Sequence, residues 1–192
     1  MTLSSAFTLI PETEKHAAHI EALHEDVFGP GRFARTAFRV REGCPADIRF
    51  SFVAFEGDVL VGSVRFTRIM IGEKKAFLLG PLCVATSTQN NGIGKALVEK
   101  GLEQVLAETG LPVILVGDAP YYAPLGFERA PHGIKMPGPV DYSRLLIAWP
   151  DAEAPNAEAP NGETTTSRAA YQGVIKGLSP LAVPHGCEGA EE

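Results

Sequence analysis

Residues 89–95 read Gln89-Asn90-Asn91-Gly92-Ile93-Gly94-Lys95, and their types and spacing suit the holding of an anion. Before them lies an apolar stretch in which Leu82 and Val84 alternate in strand fashion, followed by a polar turn. After them Leu97, Val98, Leu102, Val105 and Leu106 continue from Ile93 at helical spacing, opposite polar Lys95, Glu99 and Glu103. The unit reads strand, short turn, amphipathic helix, with two glycines where the helix opens. The first amides of a helix have no intrahelical partner, and the macrodipole adds partial positive charge there. A phosphate can therefore sit on backbone N–H groups. Gly92 and Gly94 carry no Cβ to hold it away. Asn90 and Asn91 tolerate the left-handed backbone that such a turn uses.

Spacing separates the phosphate binders that share this logic. A Walker loop places Ser or Thr after Gly-Lys, and Ala96 stands there. A dinucleotide fingerprint needs a third glycine at 97, where the chain has Leu97. The pattern that fits is Gln/Arg-x-x-Gly-x-Gly/Ala. A second motif follows one strand-turn-helix-strand unit later, Tyr122-Ala-Pro-Leu125-Gly126-Phe127, just after the apolar run 113–116. With both motifs in this order, the chain resembles the GNAT superfamily of N-acetyltransferases over about 7–149, most strongly over 79–127. It departs from the family at Thr86, often proline, and at Asn90, commonly glycine; both alter the turn and leave the glycines in place.

The resemblance implies an α/β fold with a mixed, partly antiparallel sheet flanked by helices, in which the parallel strands at 82–84 and 113–116 splay apart. It implies acetyl-coenzyme A as co-substrate and no metal. Backbone groups of Leu82, Cys83 and Val84 would bond the pantetheine arm and thioester carbonyl, and Gln89 to Lys95 would hold the pyrophosphate. Tyr122 would protonate the departing thiolate as general acid while an amine attacks the thioester directly. Relatives often carry asparagine near Asp118; an aspartate accepts hydrogen bonds there but donates none. The acceptor stays open between a small-molecule amine and a peptide. The reading from another class is a non-catalytic acetyl-coenzyme A sensor, against which the presence of Tyr122 counts. Cys83, mid-strand with no histidine nearby in sequence, reads as a buried thiol and not as a nucleophile.

Composition agrees with this reading. The 192 residues suit one domain with an extension, and the net charge is −6. That charge is unevenly placed. Between Arg65 and Lys100, six basic residues face only Glu73 and Glu99, whereas from Pro150 onward seven acidic residues face Arg168 and Lys176. The candidate phosphate region is thus locally basic. No basic patch interleaved with aromatics points to nucleic acid, and no apolar run approaches membrane-spanning length. The N-terminus shows no signal-peptide pattern. Cys44, Cys83 and Cys187 are odd in number and in no metal-ligand spacing, which points to a reducing cytoplasm.

The remaining elements follow from periodicity. A short strand over 7–10 precedes a helix with Ala17, Ile20, Leu23, His24 and Val27 on one face, stopped at Gly29-Pro30. The spacing of His16, His19 and His24 on it does not suit a metal. A second short helix spans 31–41, and its arginines read mainly as a solvated face, with contact to an acidic acceptor as the alternative. Strands are expected over 48–54, 59–71 and up to 84, in antiparallel succession. An all-apolar strand, 113–116, lies parallel to the last of these, and another strand covers 145–149. We assign 1–150 to the acetyltransferase-like domain. Residues 151–192 form an acidic tail that opens with a tandem Ala-Glu-Ala-Pro-Asn linker and carries an apolar segment, 171–183, able to dock on this domain or on a second copy in a homodimer. A linker at the start of the tail leads us to expect that its removal leaves activity within a few-fold.

Overall fold

The computed structural model describes residues 7–150 and 167–178. Strand β1 (Thr8–Pro11) leads into helix α1 (Ala17–Phe28), which buries Ile20, Leu23 and His24 as its apolar stripe requires. A 3₁₀ turn at Pro30–Ala34 and a short α2 (Thr36–Val40) stand where the sequence suggested one helix. Arg35 is extended between them, with ψ of 133°, and this divides the segment.

Strands β2 (Phe52–Glu56), β3 (Val59–Ile71) and β4 (Lys74–Val84) then form an antiparallel succession. Strand β2 begins four residues later than alternation at 48–54 suggests. Asp47 explains the shift. Its carboxylate accepts from the Arg49 backbone and guanidinium and from Arg68, and its carbonyl accepts from Phe50 N and Ser51 Oγ. That turn exposes Ile48 and sends Phe50 into the core, edge-on to Phe77.

Helix α3 (Ile93–Thr109) crosses from β4 to β5 (Val113–Val116), and the two strands are parallel. Gly101, mid-helix, lets α3 lie directly on β3, because a Cβ there would collide with the Phe66 ring. Short α4 (Ala119–Tyr122), β6 (Glu128–Arg129), β7 (Ile134–Lys135) and β8 (Leu145–Ala148) complete the main body. The sheet runs β1-β2-β3-β4-β5-β8-β6.

The two sheet faces have different partners. Gly62, Val64 and Phe66 of β3 pack toward α3 with Leu97, Val98 and Leu102. On the opposite face Ser63, Arg65 and Thr67 look toward α1 and a polar cleft, and Ile69, Ile71, Leu78 and Ile147 build a second core.

The described part of the tail packs on this domain. Strand β9 (Gly173–Gly177) pairs antiparallel with Ile69–Ile71 of β3 and parallel with β7. Tyr171 and Ile175 are buried, while Val174 and Leu178 stay exposed. Leu181 and Val183, and the linker reading for 151–166, lie outside the described residues. This docking bears on removal of the tail: without β9 the second half of β3 would lose a neighbour, and Ile69, Ile71 and Ile134 would lose cover. Ile175→Ala, the mildest version of that loss, should cost about 2–5 kcal/mol in urea unfolding. A change within experimental error would show that β9 rests on the domain without stabilising it.

Candidate active site

The site begins where β4 and β5 part. Their ladder holds only two rungs, Phe77 to Val113 and Leu78 to Ile114, although both strands continue. Strand β5 stays attached to β8 along its whole length, and β4 stays attached to β3 as far as Val84. One feature on β4 turns it away. Between the rungs Phe66–Leu79 and Val64–Leu82, β4 spends one more residue than β3, a bulge at Gly80-Pro81. Gly80 sits at φ +129°, which few side chains tolerate. The splay thus follows from a bulge that begins two residues beyond the last shared rung.

Past the gap, Thr86–Thr88 form a 3₁₀ turn, and the chain enters α3 through Asn90 at φ +67° and Gly92 at φ +82°. These left-handed residues turn the backbone so that the helix starts beside β4. The Gln89 amide folds back to donate to Val84 O at 3.4 Å. Lys95 stands exposed and pairs with Glu99 at 3.6 Å. Ile93 is buried, so only its backbone is available to a ligand.

Helix α4 closes the other side of the gap. Tyr122 lies against Gly117, where a Cβ would collide with its ring, and meets Phe127 edge-on at 5.7 Å. Burial, then Tyr121 and Asp118, raise its pKa above the ordinary phenol value, with Arg144 opposing. It is therefore protonated at neutral pH and can act as a donor, not as a base. Tyr121, which sequence reasoning passed over, reaches the start of α3: a Cβ on Gly94 would stand 2.7 Å from its hydroxyl. The missing Cβ of Gly94 lets the Tyr121 hydroxyl, with Val84 and Leu82 beside it, come close to the first turn of a 17-residue helix, whose amides have no intrahelical partner. A pyrophosphate and the arm attached to it fit that chemistry. Asp118 pairs with Arg144 at 3.1 Å.

On the α1 side the gap opens into a cleft of about 1150 Å³. Leu82, Tyr121 and Tyr122 line it, together with Gly80, Leu115 and Gly117. Cys83, Val84 and the turn from Gln89 to Lys95 are not part of its lining; they lie further along β4 and at the start of α3. The Cys83 side chain points into the core, its thiol toward Leu23 O at 3.7 Å, and burial pushes its pKa up to about 12. An unreactive thiol is what that environment produces. His24, read in the sequence as part of the apolar face of α1, and Arg65, read only as part of the basic stretch, border the cleft. His24 Nε2 lies 3.0 Å from Ser63 Oγ, and Arg65 holds Glu12 with bonds of 2.6, 2.9 and 3.0 Å. No local pattern marks either residue; both are brought in by the odd-numbered face of β3.

Comparison with known proteins agrees with this geometry. The acetyltransferase (GNAT) family matches residues 16–127, more than half of the chain, and the chain belongs to that family. No curated protein matches it. Among solved structures it is similar to the GNAT family N-acetyltransferase YhbS of Escherichia coli, crystallised with CoA. The identity is 21%, the TM-score is 0.70, and 93% of each chain is covered. A GNAT family acetyltransferase from Brucella melitensis, in complex with acetyl-CoA, is 26% identical with a TM-score of 0.55, covering 76% of this chain and 96% of the other. Arabidopsis thaliana Naa50, bound to the bisubstrate analogue CoA-Ac-MVNAL, is 16% identical with a TM-score of 0.50, covering 73% and 97%. The mixed sheet with its parallel β4–β5 pair is the fold these proteins share. Among the described residues no helix is long and apolar enough to cross a membrane.

Proposed function

We propose that this acetyltransferase moves the acetyl group of acetyl-CoA onto an amine by direct attack. The observation that carries the reading is the gap between β4 and β5, bounded by the glycine start of α3 on one side and by Tyr122 on the other. Family membership and the CoA and acetyl-CoA complexes of similar proteins support it.

In this reading the amides from Gly92 to Lys95 receive the pyrophosphate, with Gln89, Asn90 and Asn91 shaping the turn. The unpaired edge of Leu82, Cys83 and Val84 offers backbone groups to the pantetheine amides and the thioester carbonyl. The amine nitrogen enters from the cleft and bonds the carbonyl carbon as the carbon–sulfur bond breaks. Its proton leaves to solvent, and the departing thiolate takes the Tyr122 proton. Turn residues and the locally basic stretch Arg65 to Lys100 favour the anionic co-substrate.

Acetyl-CoA should therefore stabilise the fold, by about 2.7 kcal/mol at a hundredfold excess over Kd. A melting temperature unmoved by saturating acetyl-CoA, with no heat in calorimetry, would sink the reading.

A further inference from the structure

We infer that the acceptor amine carries a carboxylate, and that Arg41, at the side of the cleft nearest the parting of β4 and β5, is the residue that reads it. The inference deepens the acetyl-transfer reading and depends on it for the role of acceptor, though not for the existence of the carboxylate site.

Arg41 differs from the other arginines that line the cleft. Arg65 is committed to Glu12, and Arg144 to Asp118. Arg35 and Arg39 are exposed to solvent. The Arg41 side chain turns inward after α2, and among the described residues no carboxylate or carbonyl bonds its guanidinium. What surrounds it is the Phe38 ring, 6.0 Å away, and the Gly80 backbone, where a Cβ would stand 3.0 Å from Nη1. Burial, then the neighbouring Arg65 charge, lower its pKa to about 10, so it remains cationic at neutral pH.

Arg41 is half-buried, and a guanidinium partly withdrawn from water without a counter-charge is stabilised when a ligand supplies the partner. Arginine presents a rigid planar fork that matches a carboxylate through two parallel hydrogen bonds. One uncommitted guanidinium balances one negative charge, which suits a carboxylate better than a phosphate dianion. Its position also serves the reaction. Gly80 is the bulge residue just past the last β4–β5 rung, so a carboxylate held there lies at the entrance to the gap from which the amine attacks.

The test uses the full chain, with and without free CoA, which has no acetyl group to transfer. Glycine, β-alanine and 4-aminobutyrate are each titrated by calorimetry beside the corresponding carboxamide, with phosphoethanolamine as the phosphate arm. At least one carboxylate should bind tenfold or more tighter than its amide. In Arg41→Gln that preference should shrink to within twofold, and Arg41→Lys should keep part of it. The inference is overturned if amides bind wild type as well as acids do, if no acid binds, if phosphoethanolamine binds tightest, or if Arg41→Gln keeps the preference. The wild-type comparison stands even if a variant fails to fold. Carboxylate binding without any response to acetyl-CoA would remove the transferase reading and leave the site; the converse would remove only this inference.

Discussion

Replacing Tyr122 with phenylalanine should leave acetyl-CoA affinity close to wild type and lower kcat by about 10²-fold, within the usual range for a lost general acid. The ring is what packs against Gly117 and Phe127, and phenylalanine keeps it. Only the hydroxyl disappears. That hydroxyl holds its proton firmly, because burial and the neighbouring Tyr121 and Asp118 favour the neutral phenol. A thiolate with a pKa near 8.5, the reference value for cysteine, is a weaker base than a phenolate, so transfer from Tyr122 runs uphill and is completed as the phenolate regains a proton from solvent. The sign for pH follows directly. The active form is the protonated one, and its pKa lies above the ordinary value of about 10, so Tyr122 should cause no loss of rate on the alkaline side below about pH 10. Affinity and turnover are to be measured on the same protein. Turnover at the wild-type rate with every active amine would make Tyr122 a packing residue. A wild type that binds acetyl-CoA but acetylates nothing in a broad amine panel would favour the sensor reading.

Gly94→Val should weaken acetyl-CoA binding by at least a hundredfold while the protein still folds. A branched side chain at this position must displace the Tyr121 hydroxyl and stands beside the first-turn amides proposed to meet the pyrophosphate. Gly94 is the better test of the two glycines. Gly92 sits at φ +82°, so a branched residue there adds backbone strain to any effect on the ligand. At Gly94 the closest atom is the hydroxyl of Tyr121, a residue 45% exposed that can swing away. The effect on the fold is thus small, and the effect on the ligand is large. Circular dichroism and a urea midpoint verify folding, and calorimetry measures affinity. Wild-type affinity in a folded Gly94→Val protein would place the co-substrate elsewhere.

Arg41 and Tyr122 should also separate in their kinetics. Loss of the Tyr122 hydroxyl acts on every amine, because every reaction releases the same thiolate. Loss of the Arg41 guanidinium acts on carboxylate-bearing amines and spares their amides. A uniform loss in both variants would assign Arg41 to the reaction itself.

The elements legible in the sequence are those whose causes are local. The turn from Gln89 to Gly94 declares itself through glycines and asparagines, and the structure finds left-handed backbone at Asn90 and Gly92. Helix α3 shows an apolar stripe and ends at Gly110 in the left-handed region. Strand β5 is apolar throughout because both its faces are covered. Tertiary structure decided the rest, through contacts between residues far apart in the chain. Residues 48–50 alternate like a strand, but Asp47 gathers Arg49 and Arg68 and makes a turn of them. The apolar segment that holds Ile175 has no local mark of its partner. Ile175 finds its place only because β3 runs on past β2 and leaves Ile69–Ile71 to be paired. Arg41 sits among several arginines that look alike in sequence. What sets it apart is that Glu12 and Asp118, distant in the chain, are taken by Arg65 and Arg144, and that the glycine at the bulge lets its guanidinium come close to the β4 backbone.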